Sequence, residues 1–290
     1  MNAVETISLT KFYGKARGIT DINLTVPEGD FFGFIGPNGA GKSTTIRILT
    51  GLISQTGGTA EVFGKDIRSK RTEILAYIGY MPSEANFYHG MRVGEVIKYS
   101  ARLRNRDCTR EAERLCERLD LDVSRKISEL SLGNRKKVSI VCALQHSPKI
   151  CILDEPTSGL DPLMQREFYA ILEERNKQGA TIFLSSHILS EIQKYCKRAA
   201  VIREGRLLFC DLVENLVHSN AKKVALSGIS ELPKLGGIAN VETDGDIIKF
   251  LYSGEMHELM NMLAALPITD VSITEPDLEE IFMHYYTECK

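Results

Sequence analysis

The sequence predicts an α/β fold built on a mainly parallel core sheet, followed by a small mixed α/β appendage, and three observations carry that expectation. Short apolar runs suited to buried strands, at residues 31–35, 150–153 and 181–184, alternate with helix-patterned segments. A glycine-rich turn joins the first of these runs to the helix-like stretch 43–49. Charge composition shifts near residue 220: residues 1–219 hold 31 basic and 26 acidic side chains, a net of +5, whereas residues 220–290 hold 5 and 12, a net of −7. Such a shift marks a candidate domain boundary.

Taken in order, residues 4–9 and 22–26 alternate as half-buried strands do, the second ahead of the turn formers Pro27, Glu28, Gly29 and Asp30. Residues 92 to about 120 read as helical: Ala112, Leu115, Cys116 and Leu119 recur at helical spacing, with Arg110, Glu111, Glu113, Arg114 and Glu117 on the wet face. Between the two later strand runs, Met164, Phe168, Ile171 and Leu172 form one helical stripe. In the appendage, residues 224–226 suit a short strand, and 247–251 follow Asp244, Gly245 and Asp246 as the second arm of a hairpin. Residues 255–264 and 278–286 carry helical patterns on either side of 271–273.

The chain has 290 residues, 43% hydrophobic, enough for one sizeable core and a second, smaller one. A formal net charge of −2 offers no global field for nucleic acid, which is not expected as a partner. The seven cysteines show no CxxC pairing and read as reduced thiols, with Cys142 and Cys151 expected to be buried. No signal-like N-terminal segment is expected, and no apolar run reaches the roughly 18 residues a bilayer helix requires. Work at a membrane would therefore need another chain to cross it.

The strongest chemical signal is Gly36, Pro37, Asn38, Gly39, Ala40, Gly41, Lys42 and Ser43, a complete G-x-x-x-x-G-K-S between strand and helix. Its glycines let main-chain N–H groups converge on phosphates, Lys42 would reach the β- and γ-phosphates, and the Ser43 hydroxyl would ligate Mg²⁺. ATP and Mg²⁺ are the expected ligands. The apolar run 150–153 ends in Asp154 and Glu155. A carboxylate at such a strand exit can hold Mg²⁺ through water, and one beside it can orient an attacking water. His187 follows the next buried-type strand, where an imidazole can sense a γ-phosphate.

These residues resemble those of ATP-binding subunits of ABC transporters. The phosphate loop matches from Gly36 to Thr44, Asp154 and Glu155 match the Walker B strand and its catalytic carboxylate, and His187 matches the switch histidine. Ser158, Gly159, Leu160 and Asp161 match the D-loop, and Tyr13 falls where the family stacks an aromatic ring on adenine. Ser131 and Gly133 match the signature, which contacts the γ-phosphate held by a partner subunit; Leu132 and Asn134 depart from it. Ser83 stands where the family has a glutamine that senses Mg²⁺ and relays nucleotide state to the membrane, with Glu84 as a candidate substitute. The tail from Ile273 to Phe282 resembles the end of ABC-2-type exporter ATPases, including those linked to antibiotic or multidrug efflux.

The resemblance implies a P-loop ATPase of the ABC type over residues 1–218, with N-terminal antiparallel strands and a helical signature subdomain at about 88–145, and an accessory domain over 219–290. It implies catalytic roles for Lys42, Glu155 and His187, and nucleotide or Mg²⁺ contacts for the phosphate loop, Tyr13, Ser131, Gly133, Asp154 and Asp161. With one phosphate loop and one signature per chain, it also implies an ATP-sandwich homodimer on separate transmembrane permease subunits. The chain would then be cytoplasmic, and peripheral on the cytoplasmic membrane face when assembled. Two other readings stay open: a regulatory or structural subunit with little hydrolysis, motivated by Ser83 and the altered signature, and a non-transport ABC ATPase. The second usually carries tandem cassettes or long coiled-coil insertions, and neither is visible. An unrelated P-loop kinase would leave Ser131, Gly133 and His187 without a reason.

Overall fold

The computed structural model describes residues 1–14, 16–217, 222–229, 232–233 and 235–274, and the expected helix at 278–286 lies outside them. The chain divides into two compact units, Met1–Cys210 and Asp211–Lys290. In the first unit the long strands β1 (Asn2–Tyr13) and β2 (Ala16–Pro27) pair antiparallel, and β3 (Phe31–Ile35) leads into α1 (Lys42–Leu49). Then come β4 (Gly57–Val62), β5 (Lys65–Asp66), α2 (Arg71–Leu75) and β6 (Ile78–Met81). Helices α3 (Val93–Leu103), α4 (Thr109–Arg118) and α5 (Leu132–Leu144) precede β7 (Ile150–Asp154), α6 (Pro162–Lys177), β8 (Thr181–Ser186) and α7 (Leu189–Tyr195). Strands β9 (Arg198–Arg203) and β10 (Arg206–Leu212) complete the main sheet.

That sheet has the order β10-β9-β3-β8-β7-β6, and the pairs β9/β3, β3/β8, β8/β7 and β7/β6 are parallel. Its central strands β3, β7 and β8 are buried at every position, as two-sided coverage of a parallel sheet demands. A second sheet, β2-β1-β4-β5, carries the alternating N-terminal strands. Phe32 and Phe183, register partners on β3 and β8, stack with ring centroids 5.7 Å apart, and Phe34 lies 5.4 Å from the same ring. Removing the shared ring by Phe183→Ala is expected to destabilise this unit by about 3–5 kcal/mol, readable as a lower urea midpoint.

The helical reading of 92 to about 120 needs one correction: two helices, α3 and α4, occupy that span. Asn105 adopts a left-handed φ of 50°, which ends the first helix. The Asp107 carboxylate then accepts the Thr109 N–H at 3.0 Å and its hydroxyl at 2.7 Å, a local turn just ahead of Cys108, the N-cap of the second. A further correction concerns Cys142 on α5, which is only partly covered, whereas Cys151 on β7 is buried.

In the second unit α8 (Val213–Val217) precedes β11 (Lys222–Ser227), β12 (Ile238–Asp244), β13 (Ile247–Tyr252), α9 (Met256–Ala264) and β14 (Asp270–Thr274). Its sheet has the order β12-β13-β11-β14, antiparallel throughout. The expected hairpin is β12/β13, closed by Gly245 and Asp246 between the paired Asp244 and Ile247. Val224, Leu226, Ile248, Phe250 and Tyr252 form a small core with Leu259 and Leu263 of α9.

Candidate active site

Parallel register gathers the chemistry at one edge of the main sheet. Ile35 pairs with Ser186, and Asp154 pairs with Ser185, so β3, β8 and β7 end side by side. The loop after β3 is the phosphate-binding motif, the residue after β7 is Glu155, and the residue after β8 is His187. The carboxyl end of such a sheet is where open α/β folds bind ligands.

Within the phosphate loop Gly36 and Ala40 are buried, while Pro37, Asn38 and Gly39 are exposed at its crown. Gly41, at the N-cap of α1, holds φ of 111°, and a Cβ there would stand 2.7 Å from Ile19 Cγ2. Only glycine meets both demands. Ser43 and Thr44 lie partly exposed in the first turn of α1, where main-chain N–H groups are free of helical partners. Lys42 is 5% exposed, and its ammonium donates to Gly36 O at 2.5 Å and Pro37 O at 3.2 Å.

The same ammonium lies 3.1 Å from Glu155 Oε1, and His187 Nδ1 lies 2.5 Å from Glu155 Oε2. Glu155 thus stands between a buried cation and an imidazole. Asp154 is buried beside it and accepts the Ser185 hydroxyl at 3.1 Å. The loop that carries His187 is shaped by Ser186, whose hydroxyl donates to Glu191 at 2.9 Å and accepts the Ile188 N–H at 2.9 Å. β6 pairs with β7 on its other side, Met81 opposite Leu153, and burial, with the Asp154 charge nearby, raises the Tyr80 phenol above its usual pKa.

The signature residues form a second set. Ser131 N-caps α5, its hydroxyl accepting the Asn134 N–H at 3.3 Å. A Cβ on Gly133 would stand 2.8 Å from Gly159 O, so the start of α5 is packed on the 158–161 loop and side-chain-free at that point. Asp161 N-caps α6, accepting the Leu163 and Met164 N–H groups at 3.0 Å each. Tyr13, at the end of β1, is 46% exposed, with Lys11 Nζ 5.4 Å from the ring centroid. A Cβ on Gly18 would stand 3.0 Å from the Tyr13 ring, and a Cβ on Gly41 would stand 3.5 Å from Gly18 O, so Gly18 lies between the two.

Sequence reasoning did not single out Lys136, Ser185 or Ser186. Lys136 had one readable signal: it shares the buried face of α5 with Ile140 and Ala143, where a lysine is out of place. For Ser185 and Ser186, the end of a buried strand carries no pattern that distinguishes a working hydroxyl from an ordinary one.

Comparison with known proteins shows which family shares this fold. The family model described as ABC transporter matches residues 19–158. The bacitracin transport ATP-binding protein BcrA of Bacillus licheniformis is 32% identical over 297 aligned positions, covering 97% of this chain and 96% of BcrA. A solved ATP-binding subunit of an ABC transporter is 29% identical, with a TM-score of 0.69 over 74% of this chain and 91% of its own. The fold is shared too with the dimeric ATP-binding cassette MJ0796 in a post-hydrolysis state with ADP and Pi: 23% identity, TM-score 0.68, and coverage of 72% of this chain and 98% of that one. The chain therefore belongs to the ATP-binding subunits of ABC transporters, a family of ATP-hydrolysing enzymes.

Proposed function

We propose that the chain hydrolyses ATP as the motor of an exporter, two copies closing over two nucleotides. The observation that carries this reading is Glu155 held between Lys42 and His187 at the mouth of the phosphate loop. Main-chain N–H groups of residues 39–44 cradle the phosphates, Tyr13 stacks on the base, and the Lys42 ammonium moves from Glu155 to the β- and γ-phosphate oxygens. That exchange frees Oε1 of Glu155 to accept a proton from the water that attacks the γ-phosphorus in line, as the bond from that phosphorus to the β,γ-bridging oxygen breaks and ADP leaves with the electron pair. His187 holds the developing charge from its half-exposed position.

Ser43 and Asp154 offer an oxygen-only donor set of the kind Mg²⁺ prefers. Once bound, the ion would neutralise charge on the β- and γ-phosphate oxygens. Ser131, Gly133 and Asp161 complete the site of the second copy, since each chain contributes one phosphate loop and one signature. Among the described residues no helix is long and apolar enough to cross a membrane. By likeness to the ATP-binding subunits of ABC transporters, the permeation path is assigned to separate transmembrane chains, with this subunit docked on their cytoplasmic face. The export direction is supported by the likeness to a bacitracin transport ATP-binding protein.

Two results test the proposal. The purified chain is expected to release phosphate from MgATP at steady state, and pull-down from detergent-solubilised membranes is expected to recover a multi-spanning membrane chain. A protein that binds ATP without turnover would favour the regulatory reading instead. Recovery without any membrane chain would count against transport.

A further inference from the structure

Lysine is rarely fully buried without a partner, yet Lys136 on α5 is 1% exposed. Its ammonium donates to the main-chain carbonyl of Glu155 at 3.0 Å. Burial draws its pKa below the usual lysine value, and the carboxylates of Asp154, Glu155 and Glu84 act in the opposite sense. A buried cation thus reaches from α5 to the main chain at the end of β7.

The group it holds is strained. Glu155 has a left-handed φ of 50°, a conformation unfavourable for a residue with a side chain. Such a conformation persists only where neighbours tie down its peptide groups. The Glu155 N–H donates to Ser185 O of β8 at 3.1 Å, and its carbonyl accepts from Lys136 of α5. The carboxylate that Lys42 and His187 hold by its side chain is therefore held by its main chain from the helix that begins at Ser131 and Gly133.

We infer that Lys136 is a positioning residue that links the signature helix to Glu155, so that the placement of α5 sets the geometry of the carboxylate facing the γ-phosphate. The inference rests on the reading of Glu155 as the base. It gives the signature a second effect, within its own chain, besides closing on the nucleotide of the other copy.

The test uses the full chain with Lys136→Met, which keeps the length and removes the donor, and Lys136→Gln, which keeps a neutral donor. Each is measured for steady-state turnover, fluorescent-ATP binding, mass in MgATP by light scattering, and melting temperature. Lys136→Met is expected to lower kcat about ten- to a hundredfold, the cost of a reacting group displaced by about 1 Å. KM, nucleotide affinity and melting temperature stay near wild type, and an ATP-bound dimer accumulates because closure outlasts hydrolysis. Lys136→Gln recovers part of the lost kcat.

The inference is overturned if kcat of Lys136→Met stays within twofold of wild type. It is equally overturned if turnover, binding and melting temperature fall together in both variants, since that marks Lys136 as structural support. Glu155→Gln measured alongside separates the two levels: full turnover there removes the base assignment itself. Lost turnover there with full turnover in Lys136→Met removes only the role given to Lys136.

Discussion

Glu155→Gln is expected to lower steady-state ATP turnover by about 10²–10⁴-fold while leaving nucleotide affinity close to wild type, the range for loss of a positioned general base. The amide has the shape of the carboxylate, so the left-handed main chain, its bonds to Ser185 and Lys136, and the packing of β7 have no reason to change. An acceptor for the water proton is what disappears. The amide also cannot form the ion pair now made with Lys42 at 3.1 Å, which leaves that ammonium more available to phosphate. Phosphate release under saturating MgATP measures the effect, and unchanged turnover would remove Glu155 from the chemistry.

Lys42→Ala is expected to act on binding first. A charge-assisted hydrogen bond from a buried ammonium to a phosphate oxygen contributes about 1.5–3 kcal/mol, which converts to a loss of affinity of roughly ten- to 150-fold. The same truncation strips Gly36 O and Pro37 O of their donor and leaves Glu155, 15% exposed, without its cation. The first loss acts on the phosphate loop and the second leaves an unpaired carboxylate facing the phosphates, so both add to the direct effect. Titration with a fluorescent ATP analogue reads the change, and an affinity within twofold of wild type would contradict the role of Lys42.

The parts of the fold legible in the sequence were those governed by local rules. The glycine-rich turn after residues 31–35, the buried runs at 150–153 and 181–184, and the Gly245–Asp246 hairpin each follow from side-chain pattern or turn chemistry within a few residues. The break between α3 and α4 did not, because both halves keep one amphipathic stripe and the break depends on a left-handed Asn105 and a local turn in which Asp107 bonds Thr109. The strand exits of the site were visible as separate motifs, but their convergence is a matter of register between strands far apart in sequence. Family resemblance supplied that juxtaposition in advance. Lys136 escaped it, because its partner is a main-chain carbonyl, and a carbonyl has no signature in the sequence.

The central claim is that one phosphate loop and one signature make a working site only across two copies. Light scattering of the Glu155→Gln chain, with and without MgATP, tests it most directly, because stalled hydrolysis lets a closed state accumulate. The expected result is a mass twice the 32.4 kDa of one chain in MgATP, reverting to one chain when Ser131→Arg is added to block the signature. A mass that stays at 32.4 kDa with saturating MgATP, in a variant shown to bind the nucleotide, would contradict the composite site.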